Sequence, residues 1–243
     1  MSSSRVGWGR RALGKGLGVG SSALARAGDR VAFDHREEVG GLWEEHGQRQ
    51  LDFLVEQGLA RADNVLDVGC GSLRAGVPLV GWLDQGRYCG IDRSGALIAA
   101  GRRELAAAGL ADRGADLLVG DRFEVGRFGR RFEVALAQSV FTHLPLDEIR
   151  TCLVRVAEVL EPGGRFFVTC FVQTGEPASR EPIDWPSTDG RLIRTYPDRN
   201  PWHHPIDTWP WVARGLPLEL DVIGAWGHPR GQQMLCFTRS GSA

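Results

Sequence analysis

The segment formed by residues 64–83 constrains the fold more than any other part of the sequence. It begins with the run Asn-Val-Leu-Asp-Val, which is typical of a short buried strand, and then passes through a turn that contains Gly69 and Gly71. Apolar residues with helical spacing follow the turn at once. A strand that leads through a tight glycine turn into a helix is the first part of a β-α-β unit, so this segment predicts a parallel sheet.

The same order of elements recurs along the chain. Further strands are predicted at residues 87–91, 117–119, 132–137 and 165–171, and patterns of helical spacing separate them. Strands that alternate with helices pair in parallel through right-handed crossovers, which places helices on both faces of the sheet. The predicted fold class is therefore α/β, with a doubly wound, mostly parallel sheet of seven strands.

The end of the chain departs from this alternation. Residues 218–226 and 233–239 are two extended runs joined by a short Gly-His-Pro-Arg-Gly connection, which predicts an antiparallel hairpin. We expect this C-terminal hairpin to complete the seven-stranded sheet at one edge.

Length and composition limit the number of domains and the class of partner. A chain of 243 residues suits one α/β domain, and its hydrophobic content of 42% is close to the average for globular proteins. The formal net charge of −1 provides no positive field for a phosphate backbone, so nucleic acid is an unfavourable partner. The five cysteines lack metal-site spacing, and no apolar stretch is long enough to cross a bilayer, so we expect a cytoplasmic protein with reduced thiols and no metal.

Two segments differ in composition from the rest. Residues 1–30 are rich in Ser and Gly and carry six basic residues against one acidic residue, which predicts a flexible tail rather than a transit-like or membrane-touching helix. Residues 31–243 form the one predicted domain. Within it, residues 172–212 hold seven of the 12 prolines and four of the eight tryptophans, a composition that favours a functional insertion over a disordered linker.

Carboxylates follow successive strands of the predicted sheet. Asp67 lies two residues before Gly69, Asp92 ends the second strand, and Asp121 follows the third strand. Because the carboxyl ends of parallel strands share one edge, we expect these carboxylates and the glycine turn to meet where open α/β sheets bind ligands. A carboxylate at position 92 is suited to accept hydrogen bonds from the two hydroxyls of a ribose.

The ordered set of motifs between residues 60 and 172 resembles the class I, Rossmann-like S-adenosylmethionine-dependent methyltransferases. The matching runs are Asp-Val-Gly-Cys-Gly at 67–71, Asp-Arg at 92–93, Asp-Arg at 121–122, Gln-Ser-Val-Phe-Thr-His-Leu at 138–144 and Leu-Glu-Pro-Gly-Gly at 160–164. The resemblance implies an enzyme (EC 2.1.1.-) that uses S-adenosyl-L-methionine as its cofactor. It also implies an O or N nucleophile on a small or medium-sized acceptor molecule.

The same resemblance implies a role for each matching residue. Asp67 orients the methionine part of the cofactor, Asp92 binds the ribose, and Asp121 accepts from the adenine amino group. Gln138 lies under the methionine part. The residues implied in cofactor binding are Asp67, Gly69, Cys70, Gly71, Asp92, Arg93, Asp121, Arg122, Gln138 and Ser139.

Departures from related motifs separate this prediction from its alternatives. Leu73 stands where the family often has a third glycine, and Arg74 stands where a dinucleotide-binding turn needs one, so an NAD-dependent oxidoreductase is disfavoured. Residues 138–141 take the place of the Asn-Pro-Pro-Tyr tetrapeptide of base methyltransferases, which disfavours DNA or RNA bases as acceptors. A non-enzymatic partner subunit that binds the cofactor stays an alternative.

Three histidines are candidate catalytic residues. The sulfonium of the cofactor already activates the methyl group, so a base is needed only when the acceptor is a hydroxyl or an ammonium-type amine. His143 lies close to the expected cofactor edge, although it is equally suited to support the helix that begins at Pro145. His203 and His204 are adjacent, so on an extended segment at most one of them faces the site.

Aromatic and basic residues near the end of the chain leave two further questions open. Trp202, Trp209 and Trp211 either form an apolar wall for the acceptor or seal the core beneath the proline-rich segment. Arg230, in the connection of the hairpin, either reaches a carboxylate or phosphate on the acceptor or is solvated.

Overall fold

The structure of the protein, a computed structural model, describes residues 34–175 and 180–241. The predicted flexible tail of residues 1–30 lies outside the described residues. The strands of the described part are β1 Val65–Val68, β2 Tyr88–Asp92, β3 Asp116–Val119, β4 Phe132–Ala137, β5 Leu160–Gln173, β6 Ile183–Pro186, β7 Leu192–Thr195, β8 His203–Pro205, β9 Leu218–Ala225 and β10 Gln233–Arg239. Its α-helices are α1 His35–Glu38, α2 Trp43–Glu56, α3 Gly76–Trp82, α4 Gly95–Ala107, α5 Leu146–Val159 and α6 Thr208–Val212.

One large sheet organises the described chain. Its strands lie in the order β3-β2-β1-β4-β5-β10-β9, and β1 to β5 pair in parallel. β10 is antiparallel to both β5 and β9, so the predicted C-terminal hairpin is confirmed. The predicted α/β class, with helices on both faces of a mostly parallel sheet, is confirmed as well.

The predicted number of seven strands in this sheet is wrong, because β8 pairs in parallel with β5 and makes eight. The reason lies in the length of β5, which continues to Gln173 and was predicted to end at residue 171. β4 pairs with β5 only as far as Val168, and β10 only as far as Cys170. The backbone N–H and C=O groups of the last residues of β5 are therefore not paired with β4 or β10. β8 pairs with these residues instead.

Alternating side chains of the strands build two apolar cores, one on each face of the sheet. Leu66 and Val68 of β1 enter the core that α5 covers, whereas Val65 enters the core beneath α2, α3 and α4. This alternation leaves Asp67 as a buried carboxyl on the second face. The buried strands hold the loops at their carboxyl ends in fixed positions.

The segment of residues 172–212 contains regular structure in its described part. β6 and β7 form an antiparallel hairpin, and α6 follows β8. None of the helices in residues 34–175 and 180–241 is long and apolar enough to cross a membrane.

Candidate functional site

The loops that follow β1, β3 and β4 lie at the edge where the parallel strands end, here called the carboxyl edge. Three non-glycine residues in these loops have positive φ: Leu73 at 71°, Phe123 at 56° and Ser139 at 59°. Such backbone conformations cost about 1 kcal/mol or more each and cluster at functional sites. The carboxyl edge therefore holds backbone strain in three loops and is the candidate functional end of the sheet.

The glycine turn after β1 is hydrogen-bonded to β2 and packs closely against neighbouring side chains. The backbone N–H groups of Gly69 and Cys70 donate to the carbonyl of Ile91, at 2.8 and 3.1 Å. Gly69 and Gly71 have φ of 72° and 55°, and a Cβ on Gly71 would lie 2.7 Å from Cγ1 of Val39. Both positions require glycine for the turn, and at Gly71 a side chain of the protein already occupies the space next to the backbone.

Cys70, the residue between these glycines, is buried. Burial raises the pKa of its thiol well above the usual range. Cys70 is therefore a neutral packing residue in the turn and contributes its backbone rather than a thiolate.

Asp92 connects the ends of β1 and β2. Its Oδ2 accepts a hydrogen bond from the backbone N–H of Gly71 at 2.9 Å, and its Oδ1 accepts one from the N–H of Ser94 at 2.7 Å. A carboxylate has about four acceptor positions, so two remain for ligand hydroxyls. The half-buried Asp92 is thus held in one orientation with free acceptor capacity at the carboxyl edge.

Asp67 lies in β1, the strand next to β2, and its side chain is buried. Its Oδ2 accepts a 2.7 Å hydrogen bond from the hydroxyl of Tyr88. Burial raises the pKa of Asp67 to about 7, while the Tyr88 hydrogen bond acts in the opposite direction. Sequence reasoning missed this contact, although the predicted parallel pairing of β1 with β2 was a signal that the two residues lie close together.

The loop after β3 exposes the residues predicted to hold an adenine ring. Asp121 and Arg122 are exposed to solvent. Arg93, which follows β2 and was predicted to contact the cofactor, is exposed as well. The backbone N–H of Arg122 donates to Oε2 of Glu124 at 3.1 Å, and this hydrogen bond holds the pKa of Glu124 below its usual range. Glu124, which holds this backbone N–H, was not among the residues predicted from the sequence.

The residues after β4 form a polar floor at the carboxyl edge. The N–H of Ser139 donates to Oγ1 of Thr169 at 2.7 Å, and Oε1 of Gln232 accepts from the hydroxyls of Ser139 at 3.0 Å and Thr169 at 2.7 Å. The amide of Gln138 donates to the hydroxyl of Ser139 at 3.1 Å, and its Oε1 is buried with no partner among the described residues. This oxygen therefore has free capacity to accept a hydrogen bond from a ligand or a water molecule.

His143 is exposed in the turn that follows this floor. Its Nδ1 lies 2.7 Å from Oδ1 of Asn200. Because the amide oxygen only accepts, this contact places the proton of a neutral His143 on Nδ1 and leaves a lone pair on Nε2. His143 does not cap α5, since Pro145 is the N-cap of this helix and no side chain caps it.

The other two candidate bases are buried on opposite faces of β8. Nδ1 of His203 lies 2.8 Å from the hydroxyl of Thr195, and burial lowers the pKa of His203. The ring of His204 stacks on Trp202 at 5.9 Å, and burial lowers its pKa to about 4. The structure therefore places His143, and neither of these two, at an exposed position on the carboxyl edge.

The tryptophans of the 172–212 segment differ in burial, and one of them seals the core. Trp209 is fully buried and stacks on Phe141 at 6.2 Å, so it seals the core. Trp211 is 58% exposed. Trp202 is half-buried, and its backbone N–H donates to the carbonyl of Thr142 at 2.7 Å, which fastens the segment to the turn that holds His143.

Known proteins share both the motifs and the fold of this chain. Residues 65–164 match the family model described as a methyltransferase domain. The CcbJ methyltransferase from Streptomyces caelestis is 19% identical with a TM-score of 0.61, and the match covers 80% of this chain and 90% of that chain. The S-adenosylmethionine-bound structure of CalS10, an amino pentose methyltransferase from Micromonospora echinaspora, is 15% identical with a TM-score of 0.60, over 88% of this chain and 100% of that chain.

A third similar structure is the magnesium protoporphyrin IX methyltransferase from Synechocystis PCC 6803 with S-adenosylmethionine bound. It is 14% identical with a TM-score of 0.57, and the match covers 88% of this chain and 87% of that chain. At these identities the solved structures establish the shared fold.

The family match runs from the first residue of β1 to Gly164, so it includes the glycine turn, Asp92, Asp121 and Gln138. The side chains fit the cofactor, because Asp92 retains acceptor positions for ribose hydroxyls and Gln138 has a buried acceptor without a partner among the described residues. This match favours a methyltransferase over the dinucleotide-dependent alternative. Residues 65–164 match a methyltransferase domain, and the chain shares the fold of S-adenosylmethionine-dependent methyltransferases; together these findings support transfer of a methyl group from S-adenosylmethionine to an acceptor.

Proposed function

We propose that this enzyme methylates an oxygen or nitrogen nucleophile of a small or medium-sized acceptor, with His143 as the base. The observation that carries the proposal is the 2.7 Å contact between Nδ1 of His143 and Oδ1 of Asn200 at an exposed position on the carboxyl edge. Two similar structures are methyltransferases for an amino pentose and for magnesium protoporphyrin IX, which supports an acceptor in this size range.

The residues at the ends of β1 to β4 are proposed to hold the cofactor. When bound, S-adenosylmethionine supplies an electrophilic methyl group on its sulfonium. Asp92 accepts from the ribose hydroxyls, because its two hydrogen bonds to backbone N–H groups fix its orientation and leave acceptor positions free. Asp121 and the neighbouring backbone serve the adenine end, and Asp67 with Gln138 serves the methionine end.

Proton removal from the acceptor is the task assigned to His143. Asn200 accepts from Nδ1–H, which keeps the Nε2 lone pair available for a proton from a hydroxyl or an ammonium group. A base fixed by a second side chain loses less entropy in reaching the reactive geometry. His203 and His204 are the less accessible candidates, because both are buried.

The 172–212 segment is proposed to form part of the acceptor site and to exclude water from it. Backbone hydrogen bonds dock its described part in two places, from Trp202 N–H to Thr142 O at 2.7 Å and from Thr188 N–H to Pro229 O at 2.8 Å. These contacts connect the segment to the loop after β4 and to the turn between β9 and β10. The segment thus borders the carboxyl edge on the side of β5.

A cytoplasmic location is part of the same proposal. All five cysteines are free and buried, which is typical of proteins kept in a reducing compartment. Fractionation of cells that produce the protein, followed by immunoblotting, tests this expectation, and recovery in an oxidising compartment would contradict it.

The first experiment is calorimetric titration with S-adenosylhomocysteine. We expect micromolar binding to the wild-type enzyme, loss of at least about tenfold in affinity for Asp92→Asn, and no change for the exposed Asp112→Asn control. A radiolabelled methyl-transfer screen over small hydroxyl and amine compounds then tests the acceptor class. Binding of S-adenosylhomocysteine with transfer only to carbon or to a macromolecule would overturn the proposed acceptor.

A further inference from the structure

Gln232 lies in the turn between β9 and β10, and its side chain is buried. β5 separates β4 from β10 in the sheet, so this turn and the loop after β4 approach each other across β5. Thr169 is the residue of β5 that lies between them, because the preceding residue, Val168, pairs with Ala137 at the end of β4. Gln232 and Ser139 therefore meet beside Thr169, although 93 positions separate them in the chain.

The side chains of Gln232, Thr169 and Ser139 form a closed set of hydrogen bonds. Oε1 of Gln232 accepts from the hydroxyl of Thr169 at 2.7 Å and from the hydroxyl of Ser139 at 3.0 Å. Oγ1 of Thr169 in turn accepts from the backbone N–H of Ser139 at 2.7 Å. Gln232 and Thr169 are 4% and 0% exposed, so these hydrogen bonds form in surroundings of low dielectric constant and are stronger than in water. One oxygen of Gln232 therefore holds both hydroxyl groups in place.

Ser139 needs this support because its backbone is strained. Its φ of 59° lies in the left-handed region, which costs free energy for a residue with a Cβ. Strained conformations persist only where several contacts together determine them. The N–H and the hydroxyl of Ser139 bond to Thr169 and Gln232, and its carbonyl accepts from the hydroxyl of Thr142 at 2.7 Å. Two of these three hydrogen bonds therefore belong to the set around Oε1 of Gln232.

Gln138 depends in turn on the orientation of Ser139. Its side-chain amide donates to the hydroxyl of Ser139 at 3.1 Å, and this hydroxyl uses its own hydrogen for Gln232. The amide of Gln138 is thus held in one orientation, with Oε1 buried and without a partner among the described residues. A chain of hydrogen bonds therefore runs from Gln232 through Ser139 to Gln138, whose Oε1 has free acceptor capacity.

We propose that Gln232 is a positioning residue that acts with Thr169, through Ser139, to orient the amide of Gln138 toward the methionine part of the cofactor. This inference rests on the proposed function, which assigns Gln138 to that end of the cofactor, and deepens it. Gln232 lies outside residues 65–164, so the family match assigns it no role. The C-terminal hairpin thereby supports the cofactor site without a contact of Gln232 with the cofactor.

The experiment compares S-adenosylhomocysteine with 5′-methylthioadenosine, which lacks the amino-acid part. Each compound is titrated by calorimetry into the wild-type enzyme and into Gln232→Met, which keeps the length of the side chain but removes the acceptor oxygen. We expect the affinity of the variant for S-adenosylhomocysteine to fall about tenfold and its affinity for 5′-methylthioadenosine to stay unchanged. The loss is selective because Gln138 serves only the methionine end. Equal losses for the two compounds would show a merely structural role and would overturn the proposal.

Two matched variants test whether the acceptor oxygen is responsible. Gln232→Glu retains a side-chain oxygen at the same place, so its affinity for S-adenosylhomocysteine should lie within about threefold of the wild-type value. Gln233→Met makes the same substitution at the adjacent half-buried position, which takes no part in these hydrogen bonds, and should leave both affinities unchanged. A loss in Gln233→Met as large as that in Gln232→Met would contradict the proposal.

A double-mutant cycle tests whether Gln232 acts through Gln138. Gln138→Met alone should lower the affinity for S-adenosylhomocysteine about tenfold, and adding Gln232→Met should cause little further loss, because both changes remove the same interaction. Additive losses would mean that the two residues act independently, and the proposal would then be wrong.

The remaining outcomes separate this inference from the proposed function. Thermal unfolding verifies that each variant folds, and Thr169→Val, which removes the acceptor of the Ser139 N–H, replaces Gln232→Met with the same expected result if the latter does not fold. If the wild-type enzyme binds S-adenosylhomocysteine and Gln232→Met binds it equally well, only the inference fails. If the wild-type enzyme does not bind S-adenosylhomocysteine, the assignment of the cofactor site fails, and the inference fails with it.

Discussion

The hydroxyl of Tyr88 donates a 2.7 Å hydrogen bond to the buried carboxyl of Asp67 across two adjacent parallel strands. Burial nevertheless raises the pKa of Asp67 to about 7, so the carboxyl is only partly ionised at neutral pH. The amino acid part of S-adenosylmethionine carries an ammonium group, which favours the ionised form. If Asp67 faces the methionine part of the cofactor as proposed, we expect binding of the cofactor and ionisation of Asp67 to be coupled.

We predict that S-adenosylhomocysteine binds about tenfold more tightly at about pH 8 than at about pH 6, with release of a proton on binding. The direction follows because the ionised fraction of Asp67 rises through its pKa of about 7. Calorimetry in buffers of different ionisation enthalpy measures the proton count. Asp67→Asn should abolish the pH dependence, and an unchanged slope in that variant would assign it to another group.

Tyr88→Phe provides a finer test of the same coupling. The Tyr88 hydrogen bond lowers the pKa of Asp67, so its removal should raise that pKa further. The pH midpoint of S-adenosylhomocysteine binding should then shift upward relative to the wild type. A downward shift would mean that Tyr88 stabilises the protonated form of the carboxyl.

A second prediction concerns acid stability. Burial lowers the pKa of His46 to about 2 and of His228 to about 3, below the ordinary value of 6.5, so the unfolded chain binds protons that the folded chain does not. Each histidine therefore reduces the free energy of unfolding as pH falls below about 6.5, by about 2 kcal/mol at pH 5. Urea unfolding from about pH 5 to about pH 7.5 should show a shallower acid loss for His228→Gln.

Asp67 makes the opposite contribution in the same experiment. Its raised pKa means that the folded state retains a proton between about pH 4 and about pH 7, so this part of the stability is present at low pH and is lost as pH rises through about 7. The effect of His228 is therefore measured as the difference in free energy of unfolding between His228→Gln and the wild type at each pH. If this difference were the same at every pH, the prediction for His228 would be wrong.

The glycine turn allows a third prediction with a matched control. Gly69 and Gly86 have φ of 72° and 77°, so alanine adds backbone strain of about 1 kcal/mol at both positions. A Cβ at Gly69 would also overlap Cγ2 of Val140, whereas at Gly86 no described atom lies within 4 Å. Gly69→Ala should lose affinity for S-adenosylhomocysteine as well as stability, and Gly86→Ala should lose stability alone. Equal affinities would exclude a role for the Gly69–Val140 contact in binding.

Local pattern was sufficient to predict the parallel sheet and the terminal hairpin. The strands β1 to β5 and the hairpin strands carry apolar runs bounded by glycine or polar turns, so period and length determine each element. β8 was missed because His203–Pro205 is three residues long, and its pairing depends on how far β5 extends past its neighbours. Such a strand is specified by tertiary contacts and not by its own sequence.

The candidate site also contains residues that the sequence predicts and contacts that it does not. The role of Asp92 was predicted directly from its place at the end of β2. The polar floor, in contrast, joins Ser139 to Gln232, which lies 93 positions later in the chain. His46 of α2 likewise contacts His228 in the turn between β9 and β10. Contacts of such sequence separation leave no periodic signal, so a single sequence shows the residues but not their association.

The two tryptophans at positions 209 and 211 yield a fourth prediction. Trp209 is fully buried against Phe141, and its replacement by alanine should lower the free energy of unfolding by about 3–5 kcal/mol through the cavity it leaves. Trp211 is 58% exposed, so Trp211→Ala should change stability by less than about 0.5 kcal/mol. Urea unfolding checks both, and similar losses would contradict the burial difference.

The fifth prediction concerns the base and its partner. His143→Gln should reduce kcat by about 10²–10⁴-fold for a hydroxyl or ammonium acceptor, because proton removal then depends on water. Affinity for S-adenosylhomocysteine should stay unchanged, since His143 is not among the residues assigned to the cofactor. Asn200→Ala should cause a smaller loss of kcat, because it removes the acceptor at 2.7 Å that fixes the ring but leaves the imidazole.

The pH profile separates a base from a residue that only supports the loop. A base gives a rising limb of kcat with pH that disappears in His143→Gln, whereas a structural residue lowers kcat equally at every pH. Asp198→Asn, an exposed change two positions before Asn200, serves as the control and should leave both kcat and its pH profile intact. Full activity of His143→Gln with an intact rising limb would exclude His143 as the base and direct attention to His203 and His204.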